Sequence, residues 1–170
     1  MEEAVVGNVT QYLTFKLGAE VFALDIGKVR EVLDFTPVTH VPQTPAFMRG
    51  VINLRGSVVP VVDMRLKFGM AAADRTVSTC IIIVEVELDG EKMALGAIAD
   101  SVQEVLDLDP GQIEPAPRIG VRLNTDFLTG MGKHDDRFIM ILDIDKVFSC
   151  DELDGAFGPG RGEQPEAVNG

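Results

Sequence analysis

The most constraining feature of this sequence is an internal repeat, because four segments of the first half recur in the same order in the second. The spacing between matches grows from 71 to 73 to 80 residues, which indicates loop insertions in the second copy. A unit this long is not a solenoid repeat. We expect two small lobes, each closing into a barrel-like sheet, with an apolar face buried between them. Chance matching of common β-patterns is the alternative. The matched segments begin at Leu17 and Leu88, Val29 and Val102, Phe47 and Phe127, and Val59 and Ile139.

Alternating apolar residues predict that both copies consist mainly of β-strands. Gly18-Ala19, Arg55-Gly56-Ser57 and Asp89-Gly90 mark tight turns between successive strands. Pro60 indicates an edge or a bulge in its strand, because proline lacks the N–H that a ladder needs. The predicted strands are Thr10–Leu17, Val21–Leu24, Val51–Leu54, Val58–Val62, Thr79–Leu88, Lys92–Ile98 and Arg137–Leu142.

Helical spacing is confined to short segments. Ile26, Val29 and Leu33 follow a helical period, which predicts a short helix from Asp25 to Leu33 with Asp25 as its cap. Residues 45–50 predict one helical turn stopped by Gly50. In the second copy, Asp143 and Asp145 are expected to cap the segment Ile144–Phe148, and the stretch 132–136 is expected to be a polar loop.

Charge and cysteine content exclude several kinds of protein. Asp and Glu number 27 against 15 Lys and Arg, a net charge of -12, which disfavours binding to nucleic acid or anionic lipid. The acidic N-terminus predicts no signal peptide, and the apolar runs are too short to span a bilayer. Cys80 and Cys150 lack the spacing of a metal site, so a reducing, cytoplasmic location is expected.

A search for catalytic motifs finds none that holds. His40 and His134 fall in predicted loops without metal-ligand spacing, and no serine lies in a G-x-S-x-G context. Gly130-Met131-Gly132-Lys133 lacks the first glycine and the final hydroxyl of a phosphate loop. We therefore expect no catalytic residue, no metal and no cofactor, and a binding module rather than an enzyme.

The segment 45–65, PAFMRGVINLRGSVVPVVDMR, closely resembles the signature of CheW-type chemotaxis coupling proteins. Residues 23–32 and 127–132 also resemble that family, so the likeness runs from about Tyr12 to Phe148. It implies a mainly β fold: two SH3-like five-stranded β-barrel subdomains packed around a shared apolar core, with short helices. The expected division is an N-terminal tail at 1–9, a CheW-like domain at 10–150 and a flexible C-terminal tail at 151–170. Within the domain, lobes of about 10–74 and 75–150 are expected, with some strand exchange possible.

The resemblance also implies a function. A non-enzymatic adaptor would couple the helical hairpin tip of a chemoreceptor to the regulatory domain of a CheA-type histidine kinase, and it would be a monomer when isolated. The related kinases and CheV-type proteins carry extra domains, for which this chain has no room, so a free-standing adaptor is expected. Kinase-contact residues stay unassigned. Carried over by position, the receptor-facing residues are Val29, Glu31, Gly50, Arg55, Gly56 and Val105.

Physical arguments support several of these residues. Arg55 presents a rigid fork of donors, and we expect Glu31 to pair with it and fix its orientation. Val29 and Val105 would contact a docked helix or belong to the core, and Gly50 and Gly56 would admit another backbone or serve turn geometry. Three other functions stay open: an adaptor of a related motility pathway such as pilus-based movement, a small-molecule-binding or enzymatic β-barrel, and a nucleic-acid-binding barrel.

Overall fold

The computed structural model describes residues 9–68, 70–71, 73–88, 90–115 and 127–148. The predicted N-terminal tail, except for Val9, and the predicted C-terminal tail lie outside these residues. Cys150 lies outside them as well. Within the described part of the chain, no helix has the length and hydrophobicity needed to cross a membrane.

Strands dominate the described residues, with helices of only one turn. The strands are β1 Thr10–Leu17, β2 Glu20–Asp25, β3 Val29–Asp34, β4 Met48–Leu54, β5 Ser57–Asp63, β6 Cys80–Leu88, β7 Glu91–Ala99, β8 Ser101–Leu108, β9 Ile113–Glu114, β10 Leu128–His134 and β11 Arg137–Leu142. The helices are α1 Met64–Lys67 and α2 Ile144–Val147, and single 3₁₀ turns lie at Ile26–Lys28 and Pro110–Gln112.

The strands form two sheets with one topology. The six-stranded sheet, in the order β8-β1-β2-β11-β10-β9, is the basis of lobe I. The five-stranded sheet, in the order β3-β6-β7-β5-β4, is the basis of lobe II. The strands β1, β2 and β3 correspond to β6, β7 and β8, and β4 and β5 correspond to β10 and β11. When these labels are exchanged, the order of the first five strands of lobe I becomes the order of lobe II. The structure thus confirms that the sequence repeat is a repeat of structure.

Each sheet combines strands from both halves of the chain. The chain leaves lobe I after β2, builds all of lobe II with β3 to β7, and returns to lobe I at β8. Lobe II is therefore continuous in sequence, whereas lobe I joins the first two strands to the last four. A division near residue 74 does not coincide with the sheets, because the strands of the two copies are exchanged.

Three apolar clusters fill this architecture. One cluster fills the interior of each lobe, and a larger one, the shared cluster, lies between the lobes. Strand β6 shows why the sequence at 80–84 is continuously apolar: Ile81 and Ile83 belong to the interior of lobe II, while Ile82 and Val84 belong to the shared cluster. Both faces of the strand are buried, as in the core strand of a sandwich. The predicted fold class, two SH3-like barrels around a shared core, is confirmed.

Four local predictions are wrong. Pro60 lies neither on an edge strand nor at a bulge, since β5 lies between β7 and β4; proline is tolerated there because pairing with β7 begins only at Val61. The predicted helix at 25–33 is a 3₁₀ turn followed by β3, although Asp25 does cap the turn by accepting a hydrogen bond from Gly27 N. The turn at Pro45 closes through a hydrogen bond from Met48 N, so Gly50 lies inside β4. In the second copy, Gly132 belongs to β10, and only Asp135 and Asp136 of the predicted polar loop form the turn. The apolar spacing at Ile26, Val29 and Leu33 fits a helix, but Val29 and Leu33 also fit the alternation of a strand.

Of the two residues predicted to cap the segment Ile144–Phe148, only one caps α2. Asp143 caps α2 as predicted, because its side chain accepts a hydrogen bond from Lys146 N. Asp145 does not cap the helix; its carboxylate instead contacts Lys28 and Glu87 across the lobe boundary.

Candidate protein-docking site

Glu31 and Arg55 form the ion pair that the sequence predicted. Arg55 Nη1 donates to Glu31 Oε1 at 3.4 Å, and Arg55 Nη2 donates to Glu31 Oε2 in closer contact. The hydrogen bond from Arg55 lowers the pKa of Glu31, so the carboxylate stays ionised. Two of the five donors of the guanidinium are used here, which leaves three. Because the Arg55 side chain is 70% exposed, those donors face solvent.

The turn between β4 and β5 holds this arginine at the tip of a hairpin. Arg55 and Gly56 both have positive φ, 52° and 89°, the conformation that a two-residue hairpin turn requires. The side chain of Asn53 accepts a hydrogen bond from Gly56 N at 2.8 Å and fixes the turn. Since no atom lies within 4 Å of a β-carbon built on Gly56, this glycine serves the backbone conformation.

Gly50 lies in a different environment, inside the barrel wall of lobe II. It is buried, and the backbone that approaches it is that of Thr39 in the same chain. Thr39 and Val51 exchange two hydrogen bonds of 2.9 Å, which join the segment after β3 to β4. This glycine thus closes the barrel, and its contact with a receptor stays a prediction.

The two predicted valines occupy different lobes. Val29 begins β3 of lobe II and packs, half-buried, against the shared cluster. Val105 lies on β8 at the edge of lobe I and is 47% exposed. The structure therefore brings Glu31, Arg55 and Gly56 to one hairpin region, whereas Val105 belongs to the other sheet.

Val32 is a candidate that residue-by-residue reasoning missed. It is 42% exposed on β3, an edge strand, and the repeat matches it to Val105 on the edge strand β8. Two equivalent edge strands thus each present an exposed valine. The repeat alignment alone could have identified Val32, since it already paired the two positions.

Catalytic or metal-binding chemistry has little support in the described residues. They contain no group of three His, Cys, Asp or Glu side chains placed to hold a metal ion. A cleft of about 750 Å³ opens on lobe II beside Met48 and is bordered by charged side chains. Among them, Arg65 and Asp100 are already engaged with each other.

Comparisons with known proteins agree with the fold and the motif. Residues 11–152 match a family model described as a CheW-like domain. The chain is 38% identical over 143 residues to the chemotaxis protein CheW of Klebsiella aerogenes, a match covering 84% of each chain. It is 34% identical over 146 residues to the probable chemotaxis protein CheW of Rhizobium etli, covering 86% of this chain and 92% of that one.

A solved structure shows the same architecture. The crystal structure of scaffolding protein TtCheW from Thermoanaerobacter tengcongensis superposes with a TM-score of 0.73 at 37% sequence identity. The superposition covers 82% of this chain and 87% of that one.

Proposed function

This chain belongs to the CheW-like domain family, and we propose that it is a non-enzymatic adaptor that couples chemoreceptors to a CheA-type histidine kinase. The observation that carries the proposal is the exposed Glu31–Arg55 pair at the hairpin of lobe II. An exposed guanidinium whose orientation is fixed by a neighbouring carboxylate presents directed donors to another protein, and arginine is enriched among the residues that dominate protein interfaces.

The receptor surface would combine this pair with the edge strands of both lobes. Arg55 would donate hydrogen bonds to carbonyl or carboxylate oxygens of a receptor helix. Val29, Val32 and Val105 would bury apolar surface against the same helical hairpin. Gly56 would keep the hairpin tip narrow enough for close approach.

Coupling follows if receptor and kinase occupy different surfaces of one rigid body. A change in receptor conformation would then favour one arrangement of the complex over another. This difference in binding free energy would act on the kinase through the adaptor. In this proposal the protein works in the cytoplasm and is recruited to membrane receptor arrays only through its partners.

The experiment is a reconstitution with receptor-containing membranes and a CheA-type kinase from the same organism. We expect ATP-dependent kinase autophosphorylation to increase when the protein is added, and to lose this increase when the receptor ligand is supplied. An Arg55→Ala variant of normal folded stability should give little activation. Unchanged kinase activity on adding the wild-type protein, with an established CheW protein active in the same membranes, would refute the proposal.

A further inference from the structure

Two ion pairs lie where the chain crosses between the lobes. The first crossover, from β2 to β3, contains Lys28, whose Nζ donates to Asp145 Oδ2 at 2.8 Å. The second crossover, from β7 to β8, contains Asp100, which accepts from Arg65 Nε at 3.1 Å and from Arg65 Nη2 at 2.6 Å. Each ion pair therefore lies at one of the two chain connections between the lobes.

The repeat relates the helical members of the two ion pairs, which carry opposite charges, whereas their partners Lys28 and Asp100 lie one position apart in the repeat. Arg65 in α1 and Asp145 in α2 are 80 residues apart, the spacing of the repeat in this region. The helix supplies the cation in one case and the carboxylate in the other. In both cases a carboxylate is hydrogen-bonded across the lobe boundary. The two pairs therefore have the same structural role, although the helix residue is a cation in one and a carboxylate in the other.

A backbone hydrogen bond completes each arrangement. Asp145 follows β11 of lobe I, and its Oδ1 accepts from Glu87 N in lobe II at 3.0 Å. Asp100 Oδ2 accepts from Gly18 N in lobe I at 2.6 Å, while its partner Arg65 belongs to lobe II. Asp100 thus contacts both lobes at once, and Asp145, which follows lobe I, contacts the first crossover and lobe II.

The ion pairs also lie directly before the strands of the candidate docking site. Lys28 precedes Val29 at the start of β3, and Asp100 precedes β8, which contains Val105. The Lys28 pair rests on one hydrogen bond, and its lysine is 40% exposed. The Arg65 pair has two hydrogen bonds, and its arginine is only 18% exposed. The Lys28–Asp145 contact is therefore the one that salt or substitution disturbs more readily.

We propose that Lys28–Asp145 and Arg65–Asp100 are positioning ion pairs, which fix the placement of the two lobes and thereby align β3 with β8 for receptor docking. The inference rests on the proposed receptor coupling, since it concerns the geometry of that same surface. None of the four residues needs to contact the receptor.

The test compares variants of the Lys28 pair in binding to a soluble fragment of a chemoreceptor hairpin. Asp145→Asn removes the charge but keeps an oxygen that can accept from Glu87 N. We expect its affinity to fall about fivefold, the effect of losing a partly exposed ion pair. The exchange Lys28→Asp with Asp145→Lys restores opposite charges but leaves Glu87 N without its acceptor, so it should recover only part of the affinity. The control Glu114→Gln breaks the exposed Lys133–Glu114 pair, which lies away from both crossovers, and should change nothing.

A distance measurement separates this inference from the proposed function. Spin labels at Glu20 and Glu91, the exposed hairpins of lobes I and II, report the separation of the lobes after Cys150 is replaced by serine. We expect Asp145→Asn to shift or broaden that distance distribution, and the charge exchange to restore it in part. If the wild-type protein binds no receptor fragment, the proposed function fails, and the labels still decide the inter-lobe role. An unchanged distance distribution in Asp145→Asn, or wild-type affinity where the wild type binds, would overturn the inference.

Discussion

Gly50 and Thr39 pack backbone against backbone, because a β-carbon on residue 50 would overlap the carbonyl oxygen of Thr39. The same relationship recurs in lobe I, where the carbonyl oxygen of Glu114 lies 2.7 Å from the β-carbon position of Gly130. In both lobes a short bridging segment is hydrogen-bonded to the strand that contains the glycine. Closure of each barrel thus depends on a residue without a side chain.

Replacing Gly50 with alanine should destabilise the protein severely. The new methyl group would overlap Thr39, and the φ of 144° at Gly50 disfavours any L side chain. Together these effects should lower the free energy of unfolding by about 3 kcal/mol or more. Gly56→Ala is the matched control, because a methyl group on residue 56 meets no other atom and only the positive φ disfavours it. This variant should lower the free energy of unfolding by about 1 kcal/mol. Equal losses for the two variants in urea unfolding would contradict this account of Gly50.

Substitutions of Arg55 should affect binding and leave folding intact. We expect Arg55→Ala to lower affinity for a receptor hairpin fragment about tenfold, since the fixed fork of donors is lost. Arg55→Lys keeps the charge but lacks the fork of donors, so its affinity should lie between those of Arg55→Ala and the wild type. Thermal unfolding should be the same for all three proteins, because the pair is exposed. Wild-type affinity in a folded Arg55→Ala variant would remove Arg55 from the docking surface.

The repeat and the Glu31–Arg55 pair could be predicted from sequence, whereas strand exchange could be expected only in general, without the strands that take part in it. Alternation identified β1, β6 and β11, because the burial of one or both faces leaves a local pattern. Pairing between copies leaves no such pattern: similar copies present the same alternation to either partner. Lys28 and Asp145 are 117 residues apart, and nothing local to either residue indicates the other.

The failed helix prediction at 25–33 has a related cause. Val29 and Leu33 are four residues apart, a spacing that satisfies both a helical period and strand alternation. Pairing with β6 settles the choice in favour of β3, with a bulge between Val29 and Glu31. A contact remote in sequence therefore overrode the local period.

Acid should weaken the Arg65–Asp100 contact. Burial alone would raise the pKa of Asp100, but the hydrogen bonds from Arg65 and Gly18 outweigh it and leave that pKa below its usual value. A depressed folded-state pKa gives stability that is present above the unfolded value of about 3.9 and is lost as pH falls through the folded value. The effect should be on the order of 1 kcal/mol, since the pair is partly screened by solvent.

The comparison for this prediction is Asp100→Asn, which lacks the ionisable group. Wild type should be more stable than Asp100→Asn at pH 6, and the difference should shrink as pH falls below about 4. Urea unfolding at intervals between pH 6 and pH 3 measures it. A difference that stays constant over this range would show that ionisation of Asp100 does not stabilise the fold.

Lys67 provides a test at alkaline pH. Its ammonium lies 5.1 Å from the ring centre of Phe47 in lobe II and 4.9 Å from that of Phe127, which directly precedes β10 of lobe I. Burial lowers the pKa of Lys67 to about 8. Between that value and the unfolded value near 10.4, the unfolded chain binds more protons, so this group makes stability rise with pH.

We therefore expect wild type to gain stability between pH 8 and pH 10 relative to two variants, Lys67→Met and Lys67→Arg. Methionine has no charge and arginine keeps its charge throughout this range, so neither titrates there. The two comparisons should show the same upward slope, because both cancel every other titrating group in the protein. Their offsets should differ, since methionine removes the cost of burying a cation whereas arginine retains it. Parallel curves with no slope in either comparison would mean that Lys67 keeps its proton between the two rings, and that the rings offset the cost of its burial.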